Sequence, residues 1–360
     1  MSIALPTVLQ PGSVNETVSQ LRVINTRLQD FFSPGGAAGQ QSGRYFAWDI
    51  FNETREVAGG RAPGTGPARV APQPVGNVQG QFPRVHDSIP LLYEQIHNLR
   101  KIGSLETDNA GKTYIAGQLQ RQKQKYVNHK EMQFAGMLRG QYFYSRSGDD
   151  LLPSLTAGNV TIDFQVPAGN KASLNMLGAG NIITALWSNP ATDIPLQLAK
   201  ISEAFEQLTG RPMSHIWMDG PTFQHVLNNT KVGALAGTAN TVFDSDVRDP
   251  VTNDRRVVLK GLPLFVFHIS DGGLSFNGTF TKIIPTNKAV FMPTPDPSWV
   301  GYLEGSEIVI EYPGATPTER FGQYFYAEPT TKPAGYELIG VMNGIPKLEV
   351  PSCLAIGDVA

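Results

Sequence analysis

Cysteine is all but missing from this chain of 360 residues, where Cys353 stands alone. One thiol excludes an internal disulfide and a cysteine-built zinc cluster, and it removes any need for an oxidising compartment. Its expected place, near the C-terminus, is that of a small buried hydrophobe. Charge is also scarce: Asp, Glu, Lys and Arg make up 17 % of the chain, against roughly 25 % in ordinary globular proteins. A formal net charge of -2 leaves no global field to recruit nucleic acid. No stretch approaches the ~18 apolar residues that span a bilayer. The start, Met1-Ser2-Ile3-Ala4-Leu5-Pro6, lacks the basic region and apolar core of a signal peptide. The expectation is a soluble chain made in the cytoplasm, with no membrane partner. Lysine, too, is absent before Lys101.

What is abundant points towards contact. Hydrophobic residues reach 41 %, with Gly 37 and Pro 27, and the length allows two or three sub-domains. Low charge with ample apolar content suits a protein that buries much of its exterior. Residues 43–90 read as two alternating, extended segments joined by a long tip. The ascending half is Arg44-Tyr45-Phe46-Ala47-Trp48-Asp49-Ile50-Phe51; the descending half carries Phe82, Val85 and Ile89. The tip, 59–83, holds six glycines and five prolines. Compact domains rarely keep so long a connection unless the loop has a job. A projecting β-arm is expected to find cover for its apolar face on another copy of the chain.

Before the arm, Val18, Leu21, Ile24 and Leu28 fit one face of a short helix, which Ser33-Pro34-Gly35-Gly36 stops. After it, about 109–139 reads as a long helix with a sparse apolar stripe of Ile115, Leu119, Tyr126, Phe134, Met137 and Leu138. Lys112, Arg121, Lys123, Lys125, Lys130 and Arg139 surround that stripe, opposed only by Glu131. Such a helix lies across a sheet with its other face open, to DNA phosphates or to solvent and inter-subunit salt bridges. Strands follow at 141–144 and 160–164. From Trp187 the pattern turns α/β. Thr192-Asp193-Ile194-Pro195 opens a helix that Gly210 closes, and a strand at 214–218 precedes a second helix from Asp219-Gly220-Pro221. Further strands are expected at 263–269 and 289–292. The end returns to β at 307–312 and 323–327, with a hairpin pivoting on Asn343-Gly344.

Chemistry-bearing patterns are thin. Gly178-Ala179-Gly180-Asn181-Ile182-Ile183 places Ile183 where a dinucleotide fingerprint needs a small residue, so it reads as a turn in a loop. The histidines, His86, His97, His129, His215, His225 and His268, show no metal-ligand spacing. His215 and His225 flank a turn near Asp219, but a histidine beside Trp217 in a strand reads as a core residue. No catalytic, cofactor-binding or metal site is expected, and no enzyme.

The order of parts resembles the major capsid protein of tailed bacteriophages, an α+β chain of the Hong Kong 97 type. More narrowly, it is similar to the capsid protein E family of bacteriophage lambda. The strings that carry this are Arg44-Tyr45-Phe46-Ala47-Trp48-Asp49 through Gly64-Thr65-Gly66-Pro67, then Trp187-Ser188-Asn189-Pro190 and Thr209-Gly210-Arg211-Pro212. Ile216-Trp217-Met218-Asp219-Gly220-Pro221-Thr222-Phe223 and Leu227-Asn228-Asn229 complete them.

The resemblance implies an N-terminal arm at 1–42, an extended β-loop at 43–90 and a peripheral domain at 91–186. An axial domain would occupy 187–318, with return strands of the peripheral domain at 319–360. It implies a virion protein, assembled in the host cytoplasm as hexamers and pentamers into an icosahedral shell around double-stranded DNA. The extended loop would lie over a neighbour's peripheral domain, with Tyr45, Phe46, Trp48, Ile50, Phe51, Arg55, Arg61 and Arg69 as contact residues. The fold's founding member joins subunits through a loop lysine; this loop has none, so a non-covalent shell is expected. The short arm leaves no room for a fused scaffold, which implies a separate scaffolding protein, with a portal and a decoration protein as further partners. An encapsulin-like compartment and a soluble α/β enzyme are the alternatives.

Overall fold

The structure is a computed structural model. It describes residues 9, 11–21, 23, 27–32, 39–51, 76–92, 107–147, 150–178, 180–236, 243–248, 255–276, 279–310, 316–331 and 334–360. Two sheets organise these residues, one of six strands and one of seven.

The six-stranded sheet is built on one long strand, Ala334–Leu348. Its first part pairs antiparallel with Gln323–Thr331 on one side and with Arg84–Leu92 on the other. From Gly344 onward it pairs with Val300–Val309 instead, and that strand in turn pairs with Gly39–Gln41 and Thr318–Phe321. Asn343-Gly344 is therefore not a hairpin turn, which corrects the expectation. It marks where the strand changes partners, from Arg84 opposite Asn343 to Glu304 opposite Gly344. The glycine serves close approach, since a Cβ there would meet the Tyr302 ring at 2.5 Å.

Two short helices, α1 (Pro11–Gln20) and α2 (Arg27–Phe32), replace the single helix expected of the arm. Val18 and Leu28 are both buried, but on different parts of the body; Ile24 lies outside the described residues. Helix α3 (Thr107–Leu138) holds no proline over its 32 residues and so runs ~48 Å. Tyr126 stacks on Phe325 at 5.5 Å, Gln122 donates to Asp87 at 2.8 Å and Gln133 to the Gly344 carbonyl at 2.8 Å. The six expected stripe residues of α3 are all buried. The helix does not keep an open face along its whole length, however. From Glu131 to Leu138 every residue is buried, because α2 and the strand Gln141–Ser147 both pack on this part of the helix.

The seven-stranded sheet runs Phe243–Arg248, Arg255–Leu259, Leu262–Ile269, His215–Met218, Lys288–Met292, Ala355–Asp358 and Lys171–Ala172. Helices α4 (Ile194–Thr209), α5 (Gly220–Leu227) and α6 (Thr230–Ala236) serve this sheet. Leu198, Ile201 and Phe205 of α4 pack with Ile216, Met218, Phe267 and Phe291. Asp193 caps α4 by accepting from the Leu196 amide at 3.1 Å, and Gly210 ends it with φ 73°. Asp219 caps α5 in the same way through the Thr222 amide. Trp217, Val290 and Met292 belong to a second core cluster, shared with Phe134 of α3 and with Trp299. That cluster also takes in Val300, Tyr302, Ile345 and Leu348, so both sheets contribute to it. Lys171–Ala172 and Ala355–Asp358 lie in the seven-stranded sheet too, Ala355–Asp358 pairing antiparallel with Lys288–Met292 and parallel with Lys171–Ala172.

Candidate subunit interface

The extended loop begins as a hairpin, Tyr45–Ile50 paired antiparallel with Gly76–Gln81. The descending half therefore ends at Gln81. Residues 84–92, which carry Val85 and Ile89, are a strand of the body sheet. Burial alternates along Tyr45–Ile50, the period of a strand with one covered face. The covered face is closed by the chain itself. Phe46 stacks on Trp48 at 5.2 Å and meets Phe82 edge-on at 5.4 Å, and Trp48 donates its indole N–H to the Leu348 carbonyl at 3.0 Å. Phe46, Trp48 and Ile50 are thus core residues, which corrects the expectation that a neighbour must cover them. Of the five apolar contact residues, Tyr45 and Phe51 remain outside, 71 % and 52 % exposed. Arg55, Arg61 and Arg69 lie outside the described residues.

The basic residues of α3 do not form one face. Lys123 donates to the Val18 and Leu21 carbonyls at 2.5 and 2.8 Å, fastening the end of α1. The Lys130 ammonium sits 3.9 Å from the Tyr302 ring centroid. Arg139 donates to the carbonyls of Ile283 at 3.2 Å, Leu155 at 3.1 Å and Lys282. Burial lowers the pKa of each, that of Arg139 to about 10. Arg121 and Lys125 stay exposed, Lys125 with Asp87 at 3.8 Å. The Lys112 side chain lies outside the described residues. This is what separates the six: three clamp the fold and two face solvent.

A surface that sequence reading missed lies on the six-stranded sheet. Tyr324 and Tyr326 stack at 6.1 Å, with the Arg320 guanidinium 5.2 Å from the Tyr324 ring. Glu328 and Glu337 stand directly opposite in the ladder. Burial, and then Glu337, raise the pKa of Glu328. Arg84 pairs with Glu307 at 3.0 Å and Ser88 donates to Glu337 at 2.5 Å. The available signal was the alternation of 323–331 set beside that of 334–348. Other exposed apolar side chains are Leu264 at 78 %, Ile308 at 72 %, Val247 and Phe280.

Nothing in the described residues forms a reactive constellation. His215 faces His268, with 2.9 Å between Nδ1 and Nε2, and neither imidazole meets a carboxylate among the described residues. His225 sits apart on α5. No metal-binding group of His, Cys, Asp and Glu occurs among the described residues, and Cys353 is buried. Gly178 and Gly180 both take positive φ in an irregular loop. A cleft of about 920 Å³ opens between the hairpin base and α3, lined by Phe82, Asp87, His129, Met132, Tyr144 and Glu307 among others. No described helix is long and apolar enough to cross a membrane.

The sequence profile of the family described as phage major capsid protein E matches residues 12–359. No curated protein sequence matches the chain. Among solved structures, one described as a prophage capsid protein of Escherichia coli CFT073 superposes with a TM-score of 0.51 at 13 % identity. That match covers 79 % of this chain and 80 % of the other. A phage-related protein of Bordetella bronchiseptica RB50 gives 0.50 at 9 % identity, over 98 % and 97 %. At such identities the likeness is one of fold, the Hong Kong 97 type found in phage capsid proteins.

Proposed function

The chain belongs to the phage major capsid protein E family, and from that premise we infer that its copies gather as hexamers and pentamers into an icosahedral shell around packaged double-stranded DNA. It is a structural shell protein of the virion. The observation that carries the finer reading is the two-sided hairpin at the base of the extended loop. One face is locked into the core through Trp48, while Tyr45 and Phe51 stand exposed on the other side and at its end. In the proposed assembly, a reading that the anchored hairpin supports, the extended loop, 43–90, lies over a neighbour's peripheral domain. Arg55, Arg61 and Arg69 would grip its carboxylates in bidentate pairs. Contacts that pass head to tail and close into rings suit this arrangement.

The shell is held without covalent links, because the loop offers no lysine. Many modest contacts, summed over the lattice, resist the pressure of the DNA. A separate scaffolding protein directs closure, a portal occupies one vertex, and a decoration protein reinforces the outside. Arg121 and Lys125, exposed on α3, supply the non-specific contact with DNA phosphates. The extended loop and arm re-dock when the domains rotate as rigid bodies during maturation.

Electron microscopy of the full chain, expressed alone and with a scaffolding protein from the same genome, tests the reading. Closed, uniform shells with the scaffold and irregular assemblies without it are expected. Small oligomers under both conditions would overturn the shell reading; uniform shells from the chain alone would overturn only the separate scaffold.

A further inference from the structure

Helix α2 is six residues long and touches both halves of the molecule. Towards α3, the Glu131 carboxylate accepts from the Leu28 and Gln29 amides, each at 3.0 Å. The Gln29 side chain donates to the Val127 carbonyl at 3.0 Å, and Phe32 stacks on Phe134 at 5.5 Å. Towards the seven-stranded sheet, Arg27 donates to Ser270 Oγ at 2.9 Å. Phe31 enters a cage of three rings: His215 at 5.1 Å, Trp217 at 5.2 Å and His268 at 5.0 Å. The floor of the cage is the His215–His268 contact, with the His268 ring stacked on Trp217 at 4.5 Å.

The facing imidazole nitrogens can share one hydrogen and no more. With both rings neutral, one donates and the other accepts. Protonating both sets two N–H groups and two positive charges against each other, with Arg256 adding a third charge. We propose that α2 is a proton-operated latch between the long helix and the seven-stranded sheet, closed while both imidazoles are neutral and released when they take up protons. The reading needs no shell, and it concerns the single chain.

The groups around the latch divide into two opposing sets. Burial, and then Arg256, lower His215 to about 4. Burial, then His215 and Arg256, hold His268 well below its ordinary range. Both therefore favour the closed latch above about 6.5, and that contribution is lost as pH falls towards 4. Glu131 works against them. Burial raises it to about 7, helped by Asp30 and countered by the two amides it caps, so its protonated form favours the buried, closed state. Lys130, beside it, engages Tyr302. His129 on α3 packs on Tyr142 and Tyr144. Two imidazoles against one carboxyl leave a net release on acidification.

Hydrogen exchange of the full chain at pH 7.5 and pH 5, corrected for intrinsic rates, reads the latch directly. Protection of amides 28–32 is expected to fall about tenfold at pH 5, while amides 194–209 of α4 keep theirs. Removing the opposing group in Glu131→Gln should enlarge the fall. The double variant His215→Gln, His268→Gln should abolish it, and Phe31→Ala should leave 28–32 open at both pH values with α4 unchanged. Equal protection of 28–32 at the two pH values in the wild-type chain would overturn the latch, and so would an undiminished fall in the double variant. If the double variant does not fold, the wild-type comparison and Glu131→Gln decide: a fall no larger in Glu131→Gln overturns it as well.

Discussion

Trp48 hydrogen-bonds to the backbone of Leu348 at 3.0 Å across 300 residues of sequence. The bond ties the base of the extended loop to the end of the longest strand, so the loop is part of the fold before it can be part of an interface. Trp48→Ala is expected to cost about 3–5 kcal/mol of stability, measured by urea unfolding. Tyr45→Ala and Phe51→Ala, at exposed sites, should stay within about 0.5 kcal/mol and act instead on particle yield. If all three destabilised the chain alike, the division into an inner and an outer face would fail.

Replacing residues 52–75 by a short glycine linker should leave the Tyr45–Ile50 and Gly76–Gln81 strands paired and the chain folded. Stable shells should not form. Circular dichroism and electron microscopy check the two halves of this expectation, and intact particles from the shortened chain would remove the loop from the proposed interface.

Particles dissolved in hot detergent should run as monomers on a denaturing gel. The first 100 residues contain no lysine, so the extended loop has no amine with which to form an isopeptide link. A ladder of linked species would contradict the non-covalent shell.

Glu131 makes stability depend on pH in a definite direction. Its folded-state pKa, about 7, lies above the ordinary 4.5. The folded chain therefore holds the extra proton, and the stability gained is full below 4.5 and lost as pH rises through 7. The loss amounts to about 3 kcal/mol. Because His215 and His268 oppose this loss over the same range, urea midpoints from pH 5 to pH 8 should rise more steeply towards high pH in Glu131→Gln than in the wild type. Parallel curves would mean that the carboxyl titrates normally.

Gly344→Ala should destabilise by about 1–3 kcal/mol. The new methyl would meet Tyr302, whose hydroxyl is bound to Gln133 at 2.9 Å and whose ring faces Lys130, so the ring has nowhere to move. A neutral effect on thermal unfolding would show that the strand can shift at the point where it changes partners.

The parts legible in the sequence were those with local causes. Asp193, Pro195 and Gly210 bound α4 through capping and a left-handed residue, and both ends fall within a residue of where those signals place them. The stripe of α3 was legible because its period is intrinsic to the helix. What escaped depends on distant partners. Asn343-Gly344 has the chemistry of a turn, yet Arg84 and Glu304 on two other strands hold it straight. Lys123, Lys130 and Arg139 look like a solvated face until residues 18–21, Tyr302 and Leu155 arrive around them. Phe46, Trp48 and Ile50 alternated as expected, but no local pattern could say that the surface covering them was the chain's own.

Asn15 of α1 carries a further consequence. Its side-chain amide donates to the Phe325 carbonyl at 2.7 Å and accepts from the Phe325 amide at 3.1 Å, occupying both backbone groups of Phe325 on the free edge of Gln323–Thr331. A sheet edge left bare recruits another strand, and sheets joined that way would fix the angle between molecules through the ladder itself. With the middle of this edge already occupied, copies cannot merge their ladders there and must meet through side chains. Side-chain contacts can tilt by a few degrees from one site to the next, and that freedom is what a closed, curved surface built from identical pieces requires.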